Sequence, residues 1–171
     1  IEDLQELLKT NPRSLVSLMH GNNEIGNLLD LEQVGALCQE HQAIFHSDTV
    51  QTMGHYRHNL QQIKAHFIVG AGHKFHGPKG VGFIYINKEN IVRPFVDGGS
   101  QERNMRGGTE NFYGIIGLAK ALQIACDHME ANRLRISEVR NYFADQLQQY
   151  IEDVQFNGDP FGRGHYKDRK S

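Results

Sequence analysis

Three short apolar runs, at residues 15–20 (Leu-Val-Ser-Leu-Met-His), 43–45 (Ala-Ile-Phe) and 67–69 (Phe-Ile-Val), constrain this chain more than any other feature. Each is too short for a helix, and each is apolar enough for a strand buried in a sheet. A dozen or more residues separate one run from the next, and spans of that length connect parallel strands rather than hairpins. The fold class that follows is α/β, a mainly parallel sheet flanked by helices. In such a sheet the ligand crevice lies beyond the carboxyl ends of the strands. Asn23, Asp48 and Lys74 each fall just past the end of one run, so three strands deliver polar side chains to one edge.

The connecting segments read consistently with that plan. Residues 1–9 form an amphipathic helix stopped by Asn11-Pro12. With no initiator Met, the chain reads as a piece of something larger. Asp30 is placed to cap a helix whose apolar positions Leu31, Val34, Leu37 and Cys38 keep helical spacing. Residues 59–64 make at most a short helix, and residues 66–86 read as strand, reactive loop, strand. Residues 87–108 show little apolar periodicity and form an extended, Gly-hinged excursion. Thr109 opens a long helix to about Met129, and a second follows with Leu134, Val139, Phe143, Leu147 and Ile151 on one face. Residues 154–156 are apolar enough to begin a strand, and the tail from Gly158 to Ser171, rich in Gly, Arg and Lys, has little to bury and is expected to fray.

Several residues invite a chemical role. Lys is a poor strand-end residue and costly to desolvate, so Lys74 is either a surface lysine on a tight turn or an amine that condenses with a carbonyl compound. Asp48 is either a turn aspartate or a carboxylate that holds a protonated ring nitrogen, with Gln51 close enough to reach the same ligand. Asn23 serves its turn or donates to a ligand oxygen. Thr109 either caps a helix or adds its hydroxyl to a phosphate site at that helix N-terminus. The spacings of His55 with His58 and of His73 with His76 suggest a metal, but no second pair of Cys and no His-Glu-x-x-His helix accompanies them, and His73 is better suited to an anion or a proton. Glycine, at 18 of 171 residues, concentrates between Gly70 and Gly117, where backbone is expected to approach a ligand closely. Cys38 and Cys126 sit in helical patterns and read as buried free thiols. The balance of 18 Lys+Arg against 20 Asp+Glu provides no field for nucleic acid or an anionic membrane, and no run approaches the length of a membrane span, so a cytoplasmic location is expected.

Five ordered segments together resemble the signatures of cysteine desulfurases, pyridoxal-phosphate enzymes of the class V aminotransferase group. They are His20-Gly21-Asn22-Asn23-Glu24-Ile25-Gly26, His46-Ser47-Asp48-Thr49-Val50-Gln51, Gly72-His73-Lys74-Phe75-His76-Gly77-Pro78-Lys79-Gly80, Gly98-Gly99-Ser100-Gln101-Glu102 and Arg106-Gly107-Gly108-Thr109-Glu110-Asn111. The last segment is similar to the NifS/IscS-like branch rather than to selenocysteine lyases. The resemblance implies a fold type I, aspartate-aminotransferase-like enzyme. Residues 1–130 would belong to its large domain, 131–157 to a linking helix and the start of a small domain, and 158–171 to a disordered tail. It implies pyridoxal 5′-phosphate attached at Lys74, with Asp48 on the ring nitrogen, Asn23 on the phenolic oxygen, Gln51 at the ring substituents and His73 on the phosphate. Thr109 would reach the phosphate of the neighbouring subunit in a homodimer. L-cysteine would be the substrate, giving alanine and a persulfide whose sulfur passes to an acceptor or iron-sulfur scaffold protein. No metal ligand is implied. Two departures stand out. Ala71 occupies a position where the family has a phosphate-binding Ser, and neither Cys38 nor Cys126 matches the mobile catalytic Cys. That Cys and the substrate-carboxylate Arg belong to a C-terminal part absent here, so these residues alone are expected to lack desulfurase activity. The remaining alternatives are another class V enzyme or a His-rich metal-binding module.

Overall fold

The computed structural model describes residues 1–157. In chain order the elements are α1 (Glu2–Thr10), β1 (Leu15–Met19), α2 (Leu31–Glu40), β2 (Ile44–Asp48), α3 (Leu60–Ile63), β3 (Phe67–Ala71), a 3₁₀ turn (Gly72–Phe75), β4 (Gly82–Ile86), α4 (Gln101–Asn104), α5 (Phe112–Asp127) and α6 (Met129–Tyr150). The frayed tail expected at 158–171 lies outside the described residues.

The four strands form one sheet in the order β1-β2-β3-β4. β1, β2 and β3 are parallel, with Met19 beside Asp48 and Asp48 beside Val69. β4 turns back antiparallel to β3, pairing Phe67 with Ile86 and Ala71 with Gly82. The strand–loop–strand reading of residues 66–86 is therefore a hairpin whose turn is a short 3₁₀ helix.

The sequential strand order decides where the core sits. Each parallel connection steps the same way along the sheet, and right-handed crossovers that all step one way leave their helices on one face. Val16, Phe45 and Ile68 point to that face and pack with Leu8 of α1, Leu31, Val34 and Cys38 of α2 and Ile63 of α3. Phe45 and Val34 are fully buried there. The opposite face carries Leu15, Ile44 and Ile84, which remain 65%, 41% and 55% exposed. α2 is held by its ends and by one close approach. Asp30 Oδ1 accepts from Gln33 N at 3.0 Å, as the capping position requires. A Cβ on Gly35 would collide with the Ile63 carbonyl oxygen, so glycine there lets α2 lie directly on α3.

Three expectations change. The long helix expected to open at Thr109 begins at Phe112, because the Asn111 side chain accepts from Gly114 N at 3.1 Å and takes the capping role expected of Thr109. Residues 154–156 form no strand. Cys126 is exposed rather than buried, whereas Cys38 is buried as expected. α6 follows α5 with only His128 between them, and its Leu134, Val139 and Phe143 are exposed. Among the described residues no helix is long and apolar enough to cross a membrane.

Candidate functional site

Because β1, β2 and β3 run parallel, Met19, Asp48 and Ala71 end them at one edge, and three loops spring from that edge. The first, residues 20–29, leaves and returns at the same point: Leu29 N donates to His20 O at 2.8 Å, and Gly21 bridges Leu28. Within it Asn22 Oδ1 accepts from Glu24 N and Ile25 N at 2.9 and 3.1 Å, so Asn22 shapes the turn and Asn23 is left outside it. The exposed Asn23 amide donates only to Glu24 Oε1, at 2.7 Å.

The second loop begins at Asp48. Its Oδ1 accepts from Val50 N at 2.9 Å, and among the described residues no other hydrogen bond to this half-buried carboxylate is made. The next residues fold tightly, with Thr52 N and Met53 N donating to Thr49 O. Thr49 Oγ1 donates to Val69 O at 2.7 Å, which ties this turn to β3. Gln51 sits half-buried on it, and its amide makes no hydrogen bond among the described residues. Both readings of Asp48 are thus compatible, since its hydrogen bond to Val50 N uses only Oδ1.

The third loop carries His73 and Lys74. Gly77 N donates to Gly72 O and Gly72 N to Val81 O, closing the turn against β4, and Phe75 anchors it with 1% exposure. α5 leans on its far side: Leu118 lies against Gly72, Ala121 against Gly77 and Gly117 against Pro78, so none of these glycines has room for a Cβ without displacement. His55 Nε2 stands 3.3 Å from Lys74 O and braces the turn from the second loop. This backbone holds two exposed side chains, the His73 ring and the Lys74 amine, which make no hydrogen bond among the described residues. The desolvation expected around that amine does not come from the described residues. Ala71 precedes the turn and offers it no side-chain cap.

Five of the six residues singled out by sequence, Asn23, Asp48, Gln51, His73 and Lys74, thus stand on adjacent loops at one sheet edge. Thr109 does not join them. It lies exposed ahead of α5, where its neighbour Gly108 donates to Gln101 Oε1 at 3.1 Å. The paired histidines separate: His55 turns to Lys74, His58 turns to His20, and among the described residues no three His, Cys, Asp or Glu side chains converge.

Sequence reasoning missed the cluster at the neck of the first loop. His20 Nδ1 is 2.8 Å from Thr52 Oγ1 and 3.1 Å from His58 Nε2, and Thr52 Oγ1 is 3.3 Å from His58 Nε2. Tyr56 sets its ring edge to His20 at 5.8 Å. Burial, reinforced by the neighbouring His58 and opposed by Asp30, pushes His20 down to about 4. Burial also lowers His58, against a hydrogen bond to the Tyr56 backbone that raises it. These residues are 32 and 38 positions from His20, so no local pattern pointed to them.

Comparison with known proteins supplies the context. The model of the aminotransferase class-V family matches residues 1–163. The cysteine desulfurase IscS of Dictyoglomus turgidum is 41% identical over 157 residues, which is 92% of this chain and 40% of that protein. A NifS-like protein from Rickettsia africae superposes with a TM-score of 0.83 at 30% identity, covering 91% of this chain and 45% of its own. SspA, solved in complex with cysteine, superposes with a TM-score of 0.64 at 31% identity over 70% of this chain and 36% of its own. The chain spans about two-fifths of the length of the curated relatives it matches.

Proposed function

The chain belongs to the aminotransferase class-V family, and from that premise we propose that it is the central part of a cysteine desulfurase that binds pyridoxal 5′-phosphate at the edge formed by the first three strands. The observation that carries this reading is the placement of an exposed amine, a carboxylate whose Oδ1 alone is hydrogen-bonded among the described residues, and two amides on adjacent loops at one end of the parallel strands. That donor set fits the group. A carbonyl needs an amine, a pyridine N–H needs an acceptor, and a phenolic oxygen needs a donor.

Pyridoxal phosphate, when bound, supplies a ring that draws electrons from the α-carbon of an amino acid. The chain's own residues hold and orient it. Lys74 Nζ is the covalent anchor, and its clamped turn fixes where the anchor stands. Asp48 accepts from the ring N–H through the oxygen that Val50 leaves free. Asn23 donates to the phenolic oxygen once its amide leaves Glu24, and Gln51 lies against the ring substituents. His73, beside the anchor, donates to the phosphate. Thr109, exposed and remote from these five, is suited to the phosphate of a neighbouring subunit, which makes the assembly a homodimer. L-cysteine is the substrate in this reading; the likeness to SspA, solved with cysteine, supports it. The sulfur passes to an acceptor or iron-sulfur scaffold protein in the cytoplasm. Neither cysteine suits the attack on sulfur, for Cys38 is buried with a thiol that burial pushes up to about 11, and Cys126 lies along α5.

Absorbance of the purified protein with added pyridoxal phosphate tests the reading. A yellow band is expected and Lys74→Ala abolishes it; a band that survives that change overturns the choice of lysine. Residues 1–171 alone should release no sulfide from cysteine, and release would overturn the view that the sulfur nucleophile lies elsewhere.

A further inference from the structure

We propose that His20 is a positioning residue: its ring, lodged between Thr52 and His58, clasps the loop that carries Asn23 to the turn that carries Gln51. The inference rests on the cofactor reading above for what the clasp serves, but the clasp itself stands on geometry.

Both ends of the 20–29 loop meet at His20, because Leu29 N donates to His20 O and His20 N donates to Asp48 O, each at 2.8 Å. Whatever fixes the His20 side chain therefore fixes the neck of the loop. The ring is fixed by the Thr52 hydroxyl at 2.8 Å, and Thr52 is 2% exposed on the turn that also bears Gln51. Gly21 completes the contact. A Cβ there would lie 2.7 Å from the Thr52 methyl group, so only glycine lets the two segments come this close.

Counting protons shows that the cluster has a defined chemistry. His20 Nδ1 and His58 Nε2 face each other at 3.1 Å, so one carries a hydrogen and the other a lone pair. The Thr52 hydroxyl has one hydrogen, to share between Thr49 O at 3.3 Å and the rings. Two inward N–H groups cannot face each other, so the arrangement excludes the doubly protonated pair. Besides His58, Asp30 acts on the His20 ring as a counter-charge and Tyr56 packs edge-on against it. An apolar side chain of the same size would fill the space without registering the loop on Thr52.

Amide hydrogen exchange and a pyridoxal phosphate titration, run on the wild type and on Thr52→Val, Thr52→Ser and His20→Phe, test this. Thr52→Val and His20→Phe should each raise exchange across residues 21–29 roughly tenfold, as loss of one hydrogen bond implies. Strand amides in β2 and β3 should be unchanged, and cofactor dissociation should weaken by a similar factor. Thr52→Ser, which keeps the hydroxyl, should stay near the wild type on both measures. Unchanged loop exchange in both variants overturns the clasp. Equal loosening of β2 and β3, or a Thr52→Ser protein as impaired as Thr52→Val, also overturns it, because either result means packing alone. Faster loop exchange with unaltered cofactor affinity overturns the positioning role. If the wild type takes up no cofactor, the proposed function fails, and the exchange contrast decides the clasp by itself.

Discussion

Acidification should destabilise this fold in a window set by His20. Its ring titrates at about 4 in the folded chain, pushed down mainly by burial, against 6.5 for an unconstrained histidine. Between these values the unfolded chain binds the proton and the folded chain does not, so stability falls as pH falls. Above 6.5 neither state is charged and the effect vanishes. At about 1.4 kcal/mol for each pH unit between the two values, the loss would reach about 3 kcal/mol. The ring keeps some contact with water, which reduces this to about 2 kcal/mol. Roughly half of that, about 1 kcal/mol, should be lost between pH 7 and pH 5, a range in which ordinary carboxylates stay ionised and do not confuse the result. His58 shifts the same way and adds to the loss. Urea unfolding of the intact chain at the two pH values should show a midpoint lower by about 0.5 M at pH 5. The His20→Phe protein should lose much of this dependence. A midpoint that is flat or rises on acidification, or a His20→Phe slope equal to the wild type's, would refute the reasoning.

Gly35→Ala should lower stability by about 2 kcal/mol in denaturant unfolding, even though alanine is the better helix former by about 1 kcal/mol, because the new methyl group meets the Ile63 carbonyl and forces α2 away from α3. Phe45→Ala, at a fully buried position in β2, should cost about 3 to 5 kcal/mol in the same assay. A thiol reagent at pH 8 should label exposed Cys126 in the folded protein and leave Cys38 untouched until denaturant is added, since Cys38 is buried and its thiol is pushed up to about 11.

The strands were legible because β1, β2 and β3 are short, apolar and widely spaced, and that pattern has few alternatives to a parallel sheet. The same spacing located the edge where Asn23, Asp48 and Lys74 stand, since a polar residue just after a buried run can only emerge at the strand's end. The start of α5 was misread because Thr109 and Asn111 are both good capping residues, and only the bond from Gly114 distinguishes them. Cys126 was misread because helical spacing identifies a face without saying whether anything covers it. The His20, Thr52 and His58 cluster was invisible because it depends on two loops meeting, while the pattern that was visible, two histidines three apart, described rings that point to different partners.

The one-way strand order has a kinetic consequence. Neighbouring parallel strands touch across modest distances along the chain, 29 positions between Ser17 and His46 and 21 between Phe45 and His66. No strand must wait for a distant segment to be inserted beside it, so each new strand can add to the growing edge with a small loop-closure cost. The sheet edge that bears Asn23, Asp48 and Lys74 should accordingly form early and as one cooperative unit. Hydrogen-exchange labelling during refolding should show β1, β2 and β3 protected together, ahead of α6, which touches little of the sheet.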